Sequence, residues 1–297
     1  MRNNFIRKFL TGLFILTSFS MLTACSGTTF NTSDNQSGIT STQNPDLKGT
    51  VKISGSTTVY PIIDYLKEAY KESRPNVTVN LAQGGSGVGI KDAIDGNNDI
   101  GMSSRELKTT ETGLKAVAIA LDGIAIIINP ANGVTDISKD NLKKIFKGEI
   151  TNWKDIGGVD KTILVITREQ GSGTRTAFEE IIGLDKDADG NVNTQIMTGA
   201  MVLTDAGQIS NNVAGKDNAI GFTTLGAVTS KVKALKVGGI ECKTENILNS
   251  TYPIGRKLYL VIKDGSQENQ PIKDFIAYVL SEEGQKAVTD TGYIKLN

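Results

Sequence analysis

Residues 162–182 read TILVITREQGSGTRTAFEEII. The aliphatic and β-branched run over 162–167 predicts a buried strand, and the apolar spacing after Thr174 predicts a helix over 174–182. Between them lie Arg168 and the turn Gly171-Ser172-Gly173-Thr174. A strand that passes through a glycine turn into a helix is the repeating unit of α/β folds, in which helical crossovers join parallel strands. The turn also carries chemistry. First-turn N–H groups of a helix have no intrahelical acceptor and sit at the positive end of the macrodipole, so they receive anions. Glycine lets an oxyanion approach the backbone, and serine and threonine hydroxyls add donors. Arg168, ending the strand, would meet such an anion with a two-pronged guanidinium. The same spacing also suits an ion pair with Glu169.

Two further turns repeat the arrangement. Gly55-Ser56-Thr57-Thr58 falls between a predicted strand at 51–53 and a helix at 62–72, and Gly84-Gly85-Ser86-Gly87 between a strand at 77–81 and a helix at 88–94. Any one of them reads equally as ordinary helix capping. Three at the carboxyl ends of strands, where α/β ligand sites form, point to one shared site. Neither the P-loop spacing nor the dinucleotide glycine spacing occurs, so the anion is small. Further strands are predicted at 116–120, 124–128, 219–222 and 258–262, and further helices at 139–146, 207–213 and 271–280.

At the N-terminus, Arg2, Arg7 and Lys8 precede an apolar run over 9–22 that closes on Leu22-Thr23-Ala24-Cys25. This reads as a signal peptide over 1–24 with a lipobox, because the run falls short of the ~20 residues a membrane span needs. Cys25 is then the lipidated N-terminus of a protein anchored on the extracellular face of the cell membrane. Residues 25–50, poor in large apolar side chains, read as a flexible tether.

Removing residues 1–24 leaves 29 basic against 32 acidic side chains, and no basic block suited to nucleic acid. Cys242 is the remaining cysteine, so no intrachain disulfide is expected and it reads as a small apolar residue. The chain has no histidine, which removes Ser-His-Asp and Cys-His catalysis and histidine-based zinc sites. No enzymatic activity, cofactor or metal is expected. Asp185-x-Asp187-x-Asp189-Gly190 imitates the start of an EF-hand, but Ile196 stands at position twelve where a glutamate is required, so the segment reads as a surface loop.

The turns sit in segments that resemble the phosphate-binding proteins of bacterial phosphate-specific ABC transporters, the PstS family. These are Gly55-Ser-Thr-Thr-Val-Tyr-Pro61, Gln83-Gly-Gly-Ser-Gly87, Asp99-Ile-Gly-Met-Ser-Ser-Arg105, Asp122-Gly-Ile-Ala, Ile150-Thr-Asn-Trp153 and Arg168-Glu-Gln-Gly-Ser-Gly-Thr-Arg175. The resemblance implies an α/β, two-lobed Venus flytrap of the type II periplasmic-binding-protein kind, each lobe a mixed sheet flanked by helices, with two crossover hinge strands. The first lobe would comprise residues 51–121 plus 255–297 and the second 122–254. It further implies that Arg168, Ser172, Gly173, Thr174, Ser86 and the hydroxyl turn Ser56, Thr57 and Thr58 bind inorganic phosphate, which an ABC permease then receives from a monomeric protein.

Two positions depart from the family. Better-known members carry an aspartate at Ser104 that accepts the phosphate's proton. Ser104 remains a candidate contact, and Asp122, at the expected lobe boundary, becomes the candidate acceptor. An aspartate is also replaced by Gln170, which leaves Glu169 to orient Arg168. The alternative functions are binding of another tetrahedral oxyanion, sulfate or molybdate, and a surface adhesin or sensor on the same fold.

Overall fold

The computed structural model describes residues 46–186 and 194–296. The signal peptide, Cys25, most of the tether and residues 187–193 of the EF-hand-like loop lie outside them. Strands β1 (Gly49–Gly55), β2 (Val77–Gln83) and β3 (Ile100–Ser103) alternate with helices α1 (Tyr60–Ser73) and α2 (Ser86–Asp95). β1 starts inside the segment read as tether because Gly49 and Thr50 already pair with Val77 and Thr78. β1 runs parallel to both β2 and β3, as helical crossovers require.

The long strand β4 (Leu114–Ile128) then leaves this half. The second half holds β5 (Asp136–Ile137), α3 (Lys139–Lys147), β6 (Leu164–Arg168), α4 (Gly173–Ile182), β7 (Met201–Leu203), α5 (Ala206–Ala214), β8 (Ala219–Thr224), β9 (Lys233–Ala234), β10 (Lys236–Val237) and α6 (Thr244–Leu248). β11 (Gly255–Lys263) returns the chain to the first half, where α7 (Gln270–Leu280) and α8 (Glu282–Asp290) complete it. The main sheet has the order β2-β1-β3-β11-β4-β8-β6-β7, with β9 beside β4, and β5 and β10 form a separate pair.

β4 belongs to both halves. Its residues 114–123 pair antiparallel with β11, and residues 124–128 pair with β8. Two separate strands are expected here from the sequence. The strand is continuous because Asp122 and Gly123 stay in the ladder opposite Arg256 and Gly255. Leu121 also bridges Ile294, so the C-terminal segment is stitched to the same crossover.

Four hydrophobic clusters follow among the described residues, of which the two largest lie one in each half. One gathers Val51, Ile62, Leu66, Met102, Leu260 and Phe275, and the other Ile124, Ile126, Trp153, Phe178, Phe222 and Ile254. Ile196, the residue that breaks the EF-hand pattern, is buried in the second core. Cys242 is partly buried against Gly123, and burial, with the charge of Asp122 adding to it, pushes its thiol up to about 12. It is a packing residue at neutral pH, as its sequence context suggests.

Elements absent from the sequence expectation are β3, β7, α6, α8 and the two-residue strands. β3 has four residues, too few to show a period. α8 is polar and carries a glycine in its first turn, yet Ser281 caps it by accepting from Gly284 N–H at 3.2 Å. Gly284 is required because a Cβ there would lie 2.2 Å from the Tyr278 carbonyl oxygen.

α4, which follows the glycine turn, is fixed from below by aromatic packing. Phe178 stacks on Phe222 at 4.1 Å between ring centroids and meets Phe146 edge-on at 4.7 Å. Truncating a fully buried ring leaves a cavity, so Phe178→Ala is expected to cost about 3–5 kcal/mol in urea denaturation. A loss below about 1 kcal/mol would show that α4 is not held through this ring.

Candidate functional site

The three turns meet where the two halves face each other. Ser172 is the N-cap of α4, its Oγ accepting from Arg175 N–H at 3.3 Å. That bond uses a lone pair and leaves the hydroxyl proton free to donate. The first-turn N–H groups of Gly173 and Thr174 point out of the helix without intrahelical acceptors. Ser56 holds the turn that leads into α1, its Oγ accepting from Thr58 N–H and Val59 N–H at 3.2 and 3.3 Å; α1 itself has no side-chain cap at its N-cap, Val59.

Opposite α4 stand α2 and the end of β3. Ser86 opens α2, and its Oγ accepts from the Ser104 N–H at 3.0 Å and lies 3.2 Å from Ser104 Oγ. Gly85, just before it, adopts φ 84°, a left-handed conformation that favours glycine. The halves touch directly at this point. Gly87 N–H donates to the Gly171 carbonyl at 3.0 Å, and the hydroxyls of Thr58 and Thr174 lie 2.9 Å apart. A Cβ on Gly173 would come within 2.1 Å of Ser86 Oγ and 2.7 Å of Ser104 Oγ.

Arg168 ends β6 and is 2% exposed. Its Nε and Nη2 donate to the two carboxylate oxygens of Glu169 at 2.9 and 3.0 Å. Nη2 also reaches Thr57 Oγ1 across the cleft and the Thr204 carbonyl, both at 3.0 Å. Nη1 has no acceptor among the described residues, so two N–H donors remain for a ligand. The two readings of Arg168 are therefore compatible: Glu169 orients the guanidinium while one nitrogen stays available.

The structure brings Thr57, Thr58, Ser86, Ser104, Arg168, Gly173 and Thr174 together and places Ser172 at the N-cap of α4 and Ser56 in the turn before α1 beside them. It does not support Asp122 as the acceptor of an anion's proton. Asp122 is fully buried, and its Oδ1 accepts from Thr224 Oγ1 at 2.6 Å and Leu225 N–H at 3.1 Å. Its Oδ2 accepts from Arg256 Nε and Nη2 at 2.9 and 2.7 Å. All four acceptor positions of the carboxylate are filled.

Three residues escape the sequence reading. Arg175 donates to the Arg168 carbonyl at 2.8 Å while Glu179 holds its Nε, an i,i+4 pair that helical spacing alone reveals. Tyr293 donates to the Thr58 carbonyl at 2.7 Å, and Arg256 Nη1 donates to the Ser104 carbonyl at 3.0 Å. Neither has a local sequence signal, because each contact depends on the chain returning from the far end. Among the described residues no cluster of potential metal ligands occurs, and no helix is long and apolar enough to cross a membrane.

Two α/β halves joined by crossing strands, with helix N-termini and the buried Arg168 where the halves face each other, are the architecture of a two-lobed solute-binding protein. A family model described as a PBP superfamily domain matches residues 40–283. The phosphate-binding protein PstS of Bacillus subtilis is 34% identical over 83% of this chain and 80% of its own length. That of Staphylococcus haemolyticus is 31% identical over 96% and 91% respectively. Among solved structures, a putative phosphate ABC transporter substrate-binding protein from Clostridium perfringens with bound phosphate superposes with a TM-score of 0.78. It is 41% identical and covers 84% of this chain and 100% of its own. An ABC-type phosphate transport receptor from Vibrio cholerae gives a TM-score of 0.73 at 35% identity, over 83% of this chain and 100% of its own. The chain belongs to the PBP superfamily and, within it, to the family of PstS phosphate-binding proteins. This is a family of solute-binding transport proteins, not of enzymes.

The contact between Gly173 and the two serine hydroxyls yields a test of cleft closure. Gly173→Ala is expected to keep the lobes apart and lower anion affinity at least about a hundredfold, with an unchanged melting temperature in the absence of anion. Wild-type affinity in this variant would show that the lobes do not meet at Gly173.

Proposed function

We propose that this protein captures inorganic phosphate in the interlobe cleft and delivers it to the permease of an ABC importer, without chemical turnover. The observation that carries this reading is the convergence of the first turn of α4 on the hydroxyls of Ser86, Ser104 and Thr58, with Arg168 reaching the Thr57 hydroxyl across the cleft and both nearby carboxylates already engaged by arginines. The donors suit a tetrahedral oxyanion, and the hydroxyls can also accept, so a phosphate that carries a proton finds an oxygen to bond. Asp122 is not needed for that step. The relatives named for phosphate binding, and the phosphate-bound Clostridium structure, agree with this ligand.

In this reading residues 51–121 with 255–297 form one lobe and residues 122–254 the other, and they close as two bodies around the crossing strands. The protein acts as a monomer and needs no cofactor.

Isothermal titration with inorganic phosphate, with sulfate as control, tests the ligand. Wild type is expected to bind phosphate and to prefer it over sulfate; equal or stronger sulfate binding would overturn the assignment. Arg168→Ala removes the cation and leaves the Glu169 carboxylate unpaired beside the anion. Breaking a buried charged pair costs about 3–5 kcal/mol, so phosphate affinity should fall a hundredfold or more. A loss of less than about threefold would take Arg168 out of the site.

The N-terminal reading has its own test. Two acyl chains on Cys25 would hold the protein stably at the membrane, where one chain binds marginally. Cys25→Ala is expected to release it from the membrane fraction into the medium. Equal retention of the variant would exclude lipidation as the anchor.

A further inference from the structure

We infer that Arg256 is a positioning residue of the anion site, acting from the crossover through the Ser104 carbonyl. This rests on the phosphate-binding reading given above. Arg256 is the second residue of β11, directly opposite Asp122 of β4 and next to the paired glycines Gly255 and Gly123. The ion pair is buried, the side chains being 5% and 0% exposed. Asp122 faces the second lobe with its other oxygen, where Thr224 Oγ1 and Leu225 N–H donate to it. Arg256 faces the first lobe with its remaining nitrogen, where Nη1 donates to the Ser104 carbonyl. One guanidinium therefore joins the crossing strands, the second lobe and a residue of the anion cleft.

A buried ion pair is poor evidence of a stability device, since packed apolar residues of similar volume do as well or better. The third contact makes this one specific. Ser104 lies just past the last residue of β3, so its carbonyl is outside the strand. Arg256 holds that carbonyl, while the same residue's N–H and hydroxyl meet Ser86. The orientation of the Ser104 hydroxyl beside Gly173 is thereby tied to the strand crossing about which the lobes turn. A lysine has no planar fork and cannot serve Asp122 and Ser104 together in this geometry.

A double-mutant cycle on the full chain, read by calorimetric titration with inorganic phosphate, separates positioning from general stability. Arg256→Lys is expected to weaken phosphate binding at least about tenfold with little change in the melting temperature of the phosphate-free protein. Combined with Ser104→Ala, which deletes the hydroxyl and keeps the carbonyl, the loss should fall short of the product of the single losses by about fivefold or more, because no Ser104 hydroxyl is then left for Arg256 to position. Losses that multiply would overturn the inference. Should Arg256→Lys fail to fold, the apolar pair Asp122→Leu with Arg256→Met removes the charges without leaving one buried alone. The same cycle with Ser104→Ala is then read by the same criterion. Wild type that fails to bind phosphate overturns the proposed function and this inference with it, whereas phosphate binding with multiplying losses overturns this inference alone.

Discussion

The close approach of Gly173 to the hydroxyls of Ser86 and Ser104 is the constraint from which most of the site's arrangement follows. Backbone N–H groups can reach an anion from both lobes only if no side chain stands between them. The chain meets that condition with Gly85 and Gly87 on one side and Gly171 and Gly173 on the other. Each glycine must also be placed at a helix N-terminus, which requires a strand to end beneath it. The parallel strands β1, β2 and β6 end there, and α1, α2 and α4 begin there. The sheet order is thus arranged so that carboxyl ends of strands from both lobes face one cleft.

Charge in this region is balanced before any ligand is considered. Arg168 is chelated by Glu169, and Arg256 is paired with Asp122. What remains for an anion is mainly dipolar: three helix N-termini, each worth roughly half a positive charge, together with hydroxyls and the free Nη1 of Arg168. Oriented dipoles in a dry cleft stabilise charge with little reorganisation, whereas a cluster of bare cations would repel itself when no anion is present. The same balance explains why Glu169 does not spoil the site. Its carboxylate fixes the guanidinium plane and is itself neutralised, so in the proposed site an anion would meet an oriented donor and not a free like charge.

The strand–turn–helix units are legible in the sequence because each is local. The runs at 51–53 and 77–81 extend by two residues or so into β1 and β2, the run at 162–167 becomes β6 shifted to 164–168, and the turns after them sit where glycine, serine and threonine spacing puts them. Local patterns also suffice to nominate Arg168, Ser86 and the Gly173–Thr174 turn. What the sequence hides is contact over distance. Asp122 looks like an acceptor at a lobe boundary, yet its partner Arg256 lies 134 residues away and becomes visible through the β4–β11 register alone. Tyr293 reaches Thr58 across 235 residues and is hidden for the same reason. β3 and α8 are missed for another cause: one is too short to show a period, and the other is a polar helix that tertiary packing stabilises against its own propensity.

In the proposed site, with Asp122 committed to Arg256 and Glu169 to Arg168, discrimination among tetrahedral anions falls to neutral groups. A carboxylate in the cleft would reject a fully ionised anion by unpaired like charge. Hydroxyls such as those of Ser86 and Ser104 can turn either a proton or a lone pair toward the ligand, so they accommodate a protonated or an unprotonated oxygen at smaller cost. Selectivity then depends on whether the hydroxyls are free to turn. Ser104 has its N–H on Ser86, its hydroxyl within 3.2 Å of the Ser86 hydroxyl and its carbonyl on Arg256, which restricts that freedom. A donor–acceptor pattern held in place by a crossover ion pair can favour one protonation state of the ligand without placing a net negative charge against it.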